Sequence, residues 1–341
     1  MNLLIPFIIS FVFILILEAI ITNITIKRFS KYLIRINLMG KDINKKDKRK
    51  VPESFGVPLI FTTSLALLIF LIILRLFYPT ANIKIEWILA YIIGGIFLAI
   101  IGFLEDLTVL SKREKQNKKK SGFDQKYKLI IPLPSSLPIM FAMLTRDYIS
   151  IPLFGVIHIG LIYPLILVPI GIIGASNATN MLAGLNGLEA LLGIITIFTL
   201  SIFSFLHTRM ESAIIGIFFL ISLMVFYYYN RYPSKIFPGD SLAYLIGYTI
   251  GVIAILGDIE KFAISIFILW FVELILKARS KFEAESFGKI NPDNTLSRPY
   301  KKIYSLTHIF MNGKNTEKEI VYKIAFLQTL ICIIMLFLYF L

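Results

Sequence analysis

The sequence predicts an all-α, polytopic membrane protein with about ten transmembrane helices and both termini outside. Three observations predict it. The 341 residues are 57% hydrophobic and 16% charged, with a mean hydropathy of +0.79, whereas soluble domains hold ~45–50% apolar and ~25% charged residues. Apolar runs long enough to span a bilayer, which takes ~20 residues, recur along the chain, and they are continuous where barrel strands would alternate. Finally, 29 of the 35 Lys and Arg fall in every second loop, counting Lys277 at the edge of the ninth, and positive residues mark the cytoplasmic side. A water-soluble enzyme is excluded. The net charge of +14 reads largely as an orientation signal, and no nucleic-acid partner is expected.

The runs can be justified in order. The first, at roughly 3–22, has no basic residue ahead of it and is too long for a cleaved signal peptide. An uncleaved span with its N-terminus outside is expected, because Lys27, Arg28 and Lys31 come after it. Further runs lie at roughly 57–77, 87–104, 129–145, 160–176, 188–206, 212–229, 242–257, 260–277 and 321–341. Between them, the even loops hold one cation each: Lys84, Arg146, Arg209 and Lys261. The cytoplasmic loops are then approximately 23–56, 105–128, 177–187, 230–241 and 278–320, and residues 1–341 read as a single integral membrane domain. Cys332 is the sole cysteine, so neither a disulfide nor a cysteine zinc site can form. His158, His207 and His308 are scattered, which argues against a histidine metal site.

Polar residues with chemical potential sit on the cytoplasmic side. The fifth loop has no Lys or Arg and reads Asn177-Ala-Thr-Asn180-Met-Leu-Ala-Gly184-Leu-Asn186-Gly187-Leu-Glu189. A helix-terminating Asn/Gly turn is the plain reading. Three amides, a carboxylate and two glycines at a membrane boundary favour a ligand site, since polar groups there are costly unless satisfied. Glu105 and Asp106 end another apolar run, with Lys128 after a basic loop, and Asp240 follows a Pro-Gly turn three residues after Phe237. Asp106, Asp240 and Asn180 are hard oxygen donors suited to Mg²⁺ or Mn²⁺. Mg²⁺ usually takes one or two carboxylates plus substrate phosphates, so a phosphorylated substrate is expected. No Walker-type Gly-rich loop is present.

These stretches resemble the polyprenyl-phosphate N-acetylhexosamine-1-phosphate transferase family, most closely its eukaryotic and archaeal dolichyl-phosphate GlcNAc-1-phosphate branch. Residues 177–189 match the pattern Asn-Ala-x-Asn-x-Leu-Ala-Gly-x-Asn-Gly-Leu-Glu, and Ala183 and Asn186 stand where bacterial relatives carry Asp. Gly40-Lys-Asp-Ile43-Asn44 with Val51-Pro-Glu53-Ser, Lys128-Leu-Ile-Ile-Pro, and Tyr232-Pro-Ser-Lys-Ile-Phe237-Pro-Gly-Asp240 also fit. The resemblance implies transfer of GlcNAc-1-phosphate from UDP-GlcNAc to a polyprenyl or dolichyl phosphate. UMP leaves and a GlcNAc-diphosphate lipid forms, the first step of lipid-linked oligosaccharide assembly for N-glycosylation. It further implies that Asn180 and Asp240 ligate Mg²⁺, with Asp106 beside them, and that Lys128 holds a phosphate. Ile43, Asn186 and Phe237 would contact uridine, Glu53 would lie near the amino sugar, and Asn177 would shape the site.

Two departures bear on detail. The family's paired carboxylates usually begin with Asp, and here the first is Glu105; the ninth-loop Arg/His signature is replaced by Phe282-Glu-Ala-Glu-Ser-Phe287. Arg279, Lys281 and Arg298 are the candidate substitutes for binding the diphosphate. The bilayer is an expected partner, a homodimer is a candidate assembly, and a plasma membrane is expected ahead of an endoplasmic reticulum. Two other readings stand beside the main one. One keeps the chemistry but uses another UDP-N-acetylhexosamine or serves cell-wall glycan synthesis. The other is a secondary transporter, for which Glu18 and Glu273 inside apolar runs would be coupling groups.

Overall fold

The computed structural model describes residues 4–116, 125–151 and 155–340. Every predicted apolar run is helical, as expected for backbone that must satisfy its own hydrogen bonds in hydrocarbon. The helices are α1 (Leu4–Arg35), α2 (Gly56–Phe77), α3 (Ile85–Gln116), α4 (Gln125–Ile130), α5 (Leu133–Ala142), α6 (Val168–Met181), α7 (Leu188–Leu206), α8 (Met210–Asn230), α9 (Gly239–Leu256), α10 (Glu260–Ile266), α11 (Ile268–Ala278), α12 (Leu306–Phe310) and α13 (Glu317–Phe340). A π-helical turn, Tyr163–Leu167, leads into α6.

The expected count of ten is matched in part by single long helices. Among the described residues, eight helices are long and apolar enough to cross a membrane. The run at 129–145 is divided into α4 and α5 at Ile131 and Pro132, where proline lacks the N–H a continuous helix needs. The run at 260–277 is divided at Phe267, whose N–H turns to the Ile264 carbonyl at 3.1 Å while its own carbonyl takes the Trp270 N–H at 3.1 Å. These i to i−3 bonds tighten the chain locally and break the α-helical path.

The loops are more ordered than an all-α description suggests. Strands β1 (Met39–Lys41) and β2 (Lys50–Pro52) pair antiparallel in the first loop, and β3 (Tyr148–Ile151) pairs with β4 (Gly155–His158) in the fourth. In the ninth, β5 (Lys289–Ile290), β6 (Thr295–Ser297) and β7 (Asn312–Thr316) form a three-stranded sheet. Helices also outrun their apolar segments. With 32 residues each, α1 and α3 are about 48 Å long at ~1.5 Å per residue, against ~30 Å of hydrocarbon. Glu105 and Asp106 therefore lie inside α3, not at its end.

The central helix is α9, of which 89% is buried, against 17% of the apolar 18-residue window of α1. It packs on α2, α3, α6, α7, α8 and α10. Close approach to α6 depends on Gly247, where a Cβ would stand 2.2 Å from the Ala175 carbonyl oxygen and 2.5 Å from Ser176 Cα. The intramembrane acids are taken up by packing contacts. Glu18 accepts from Ser222 Oγ at 2.9 Å, and Ser222 also meets Thr22, Thr62 and Thr63, tying α1 and α2 to α8. Glu273 accepts from Ser305 Oγ and from the Leu306 N–H at 2.6 Å, which fastens the ninth loop to α11. Neither lines the large cavity, so the transporter reading loses the residues that motivated it.

Candidate active site

The site is built around the start of α9. Gly239 adopts φ +67, and a Cβ there would lie 2.6 Å from Asp106 Oδ2, so glycine is required on both counts. Asp106 reaches from α3 and accepts the Asp240 N–H at 2.9 Å and the Ser241 N–H at 3.3 Å. A carboxylate thus satisfies the otherwise unpaired donors of a helix N-terminus, where negative charge is favoured. Ser241 Oγ accepts the Gly56 N–H at 3.0 Å and pairs with Ser54 Oγ at 2.9 Å. Backbone bonds from Phe237 to Pro52, Ser54 to Phe237 and Phe55 to Pro238 knit the first loop to the seventh. Sequence-distant Glu53, Phe237 and Asp240 become neighbours through this seam. Gly40 lies against both Glu53 and Phe237: a Cβ would be 2.6 Å from Glu53 Oε2 and 2.7 Å from the Phe237 ring.

Lys128, on α4, binds two carboxylates. Its Nζ is 2.7 Å from Glu105 Oε1 and 2.9 Å from Asp240 Oδ2. Burial pulls its pKa down, but the Asp240 and Glu105 carboxylates outweigh burial and hold it above the ordinary lysine value. Asn177 donates to the Ile173 carbonyl at 2.9 Å and the Leu129 carbonyl at 3.3 Å. Its amide therefore ties α6 to the segment carrying Lys128.

These groups open onto a cavity of about 1630 Å³, larger than the ~300–1,000 Å³ of a typical small-molecule site. Ile43, Glu53, Lys128, Asn177, Asn180, Asn186, Phe237 and Asp240 line its polar end. Glu105 and Asp106 are buried behind that wall, one holding Lys128 and the other capping α9. Arg279 and Arg298 are exposed and do not line the cavity, so they are poorly placed to bind a diphosphate within it. The cavity then continues along an apolar corridor, past Gly171 and Gly174 of α6, Gly251 and Ala254 of α9, and Phe267 and Trp270 at the α10–α11 break.

Several participants were not legible beforehand. Lys277 lines the cavity and donates to the Ala284 carbonyl and Ser286 Oγ, both at 2.8 Å. It thereby holds the 282–287 segment along the rim. In sequence it looks like any basic residue in the last turn of a helix. Glu317 resembles an ordinary first-turn acid, yet it binds Asn186 and Asn44. Asp42 stood within the Gly40–Asn44 stretch without being singled out, and it meets Asn186 as well. Glu189, by contrast, belongs to the fifth-loop motif already read from the sequence; it accepts the Gly184 N–H at 2.9 Å and closes that turn.

For a metal, no group of three His, Cys, Asp or Glu converges among the described residues. Asp240 and Asn180 instead offer oxygen donors to the cavity. The Asp240–Glu105 pair concentrates negative charge that Lys128 offsets. That donor set fits a hard cation completed by substrate phosphates.

Comparisons with known proteins bear on the family. The model of glycosyl transferase family 4 matches residues 88–258. A Saccharolobus solfataricus protein assigned as a UDP-N-acetylglucosamine–dolichyl-phosphate N-acetylglucosaminephosphotransferase is 32% identical over 325 residues, covering 93% of this chain and 91% of its own. The Dictyostelium discoideum protein of that name is 24% identical, covering 68% of this chain and 62% of its own. A phospho-N-acetylmuramoyl-pentapeptide-transferase of Streptococcus agalactiae is 25% identical, covering 70% and 71%.

Proposed function

From the premise that this chain belongs to glycosyl transferase family 4, we propose the reaction that its site performs. The chain is a glycosylphosphotransferase of the UDP-GlcNAc–dolichyl-phosphate type. It transfers GlcNAc-1-phosphate from UDP-GlcNAc to a polyprenyl phosphate, with release of UMP. One observation carries this reading: a single cavity joins the polar end bearing Lys128, Asn180 and Asp240 to an apolar corridor. A sugar nucleotide and a lipid phosphate need those two environments side by side.

The chemistry asks little of a base. A phosphate monoester has a second pKa near ~6, so the lipid phosphate is mostly dianionic at neutral pH and can attack the β-phosphorus directly. Bringing two anions together is the harder task, and it calls for preorganised positive charge. Lys128, fixed by Glu105 and Asp240, presents an ammonium at the polar end. Asn180 and Asp240 would hold Mg²⁺, whose chemistry there would be to offset the charge of the substrate phosphates, and Mn²⁺ has compatible chemistry. Phe237 and Ile43 supply apolar surface for the nucleoside, and Glu53, beside Gly40 and Phe237, faces the space left for the amino sugar. Asn177 keeps the Lys128 segment against α6. The corridor takes the first isoprene units of the lipid.

The positive loops support a polar end in the cytoplasm and both termini outside. The archaeal relatives favour a plasma membrane as the location. The test is release of UMP by purified protein given Mg²⁺, UDP-GlcNAc and dolichyl phosphate, with UDP-GalNAc as competitor. No UMP would overturn the activity, and full displacement by UDP-GalNAc would reassign the sugar.

A further inference from the structure

A second, smaller cavity of about 250 Å³ lies at the far end of α7, just below the ~300–1,000 Å³ of typical small-molecule sites. The 19 residues of α7 put it about 28 Å from the Gly184–Gly187 turn, at ~1.5 Å per residue. Its floor is aromatic. Phe203 and Phe262 stack with ring centres 3.8 Å apart, and Tyr339 meets them edge-on at 5.8 and 5.2 Å. Phe205 and Leu206, in the last turn of α7, are exposed as lipid-facing side chains are.

The wall carries charge of both signs, and its distribution is uneven. Asp258 and Glu260 line the pocket, but both are held by Arg146, whose side chain is 10% exposed, at 2.5 Å from Asp258 Oδ1 and 3.0 Å from Glu260 Oε1. The Tyr163 hydroxyl also donates to Glu260, and the Tyr148 hydroxyl to Asp258 at 3.3 Å. Arg209 shares Asp258 with Arg146, reaching Oδ2 at 3.3 Å. Lys261 lines the pocket half-buried and, among the described residues, has neither an ion pair nor a side-chain hydrogen bond. Three cations against two carboxylates leave one positive charge over, on the pocket's own wall. A half-buried ammonium without a partner carries a desolvation cost that a bound anion would remove.

We propose that this pocket binds the phosphate group of a membrane lipid from the leaflet opposite the nucleotide site. Arg209 takes the phosphate oxygens through paired N–H donors and Lys261 as a point charge. The start of the apolar chains rests on the Phe203–Phe262–Tyr339 floor and runs out past Phe205 and Leu206. A free phosphate would meet the same two cations but gain nothing from the aromatic floor, which favours the lipid. The bound lipid is neither substrate nor product. It touches α7, α10 and α13 together, and so stabilises the folded chain by mass action. This inference is independent of the UDP-sugar reading.

The experiment follows the melting temperature of the full-length protein in detergent during titration with dioctanoylphosphatidylglycerol, dioctanoylglycerol or inorganic phosphate. Only the phosphatidylglycerol should raise it, with the logarithmic dependence expected of a ligand that binds the folded state. Lys261→Gln and Arg209→Gln should each weaken the apparent affinity about tenfold, the loss of one charge-assisted contact. Lys261 has no partner to lose, so its variant should melt like wild type without lipid and release UMP at the wild-type rate. Lys84→Gln, at the same end but outside the pocket, should leave the titration unchanged. An unaltered titration in Lys261→Gln, or an equal loss in Lys84→Gln, overturns the site. A rise with dioctanoylglycerol equal to that with the phospholipid overturns the role of the phosphate. An equal rise with inorganic phosphate overturns the lipid and reassigns the pocket to a free anion.

Discussion

Lys128 is the residue on which the site's electrostatics turn. It faces Asp240 at the cavity and Glu105, which is fully buried. Removing one partner of a buried ion pair costs ~3–5 kcal/mol. Lys128 retains 30% side-chain exposure, so Lys128→Met should sit at the low end, about 3 kcal/mol, read as a fall in melting temperature in detergent. Adding Glu105→Gln should restore much of that stability without restoring UMP release. Because its pKa is raised, the contribution of Lys128 is complete below the unfolded lysine value near ~10.4 and is lost only as pH climbs through the higher folded value. It adds no pH dependence to stability near neutrality. Asp240→Ala should lower kcat about 10²–10³-fold, the scale seen when a preorganised charge-stabilising group is removed, while UMP still binds. An unchanged rate would remove Asp240 from the phosphate site. Asp240, Lys128 and Asn180 were legible because hard donors and a cation at membrane boundaries have few structural uses. Glu317 and Lys277 were not, because their partners Asn186 and Ser286 reach them only in the folded chain.

At the scale of elements, the helix-forming runs were legible but two of their interruptions were not. The sequence shows Pro132 and Pro138 inside the fourth run, yet nothing in it marks Phe267, where the backbone bonds shift to i−3, as a break. The corridor likewise emerges from three helices at once. Gly174 of α6 lines it, and a Cβ there would meet nothing within 4 Å. Gly174→Phe should therefore fold and project its ring into the corridor. KM for a long polyprenyl phosphate should rise several-fold while inhibition by UMP stays constant; unaltered lipid kinetics would place the lipid elsewhere. Gly247→Ala is the opposite case, forcing a methyl group into the α6 backbone. It should cost ~1–3 kcal/mol or more through overpacking, seen as a lower melting temperature. The ninth-loop helix α12 supplies a pH handle. Burial, Lys277 and Arg298 push the His308 pKa down to about 4, below the ordinary value near ~6.5. The unfolded chain binds more protons between those values, so stability should rise with pH across that window. His308→Gln should flatten this portion of a melting-temperature profile against pH, and an unflattened profile would show that other groups set the acid limb.

Across the whole molecule, charge is distributed with the same asymmetry as chemistry. Two of the four even-loop cations are already neutralised by acids at their own end: Arg146 pairs with Asp258 and Glu260, and Arg209 pairs with Asp258. Burial works against the Arg146 guanidinium, but Glu260 leads the neighbours that raise its pKa. That end is therefore close to charge balance, and the surplus of +14 stands beside the nucleotide site, where it would concentrate anionic substrates. The cation count made this legible without any structure, because insertion reads the same loops the counting reads. The folded chain adds that the surplus is also the side on which Lys45, Lys128 and Lys277 are drawn inward by Asp42, Glu105 and Glu273. Orientation and catalysis then share one set of residues, and the membrane side can be tested directly. Cys332 is buried, so in a Cys332→Ala background, Lys84→Cys and Lys289→Cys report opposite ends through exposed positions. A membrane-impermeant maleimide should label the variant at position 84 in intact cells, and the variant at 289 only after permeabilisation. The reverse pattern would put the nucleotide site outside, away from any cytosolic pool of UDP-sugar, and would overturn the proposed topology.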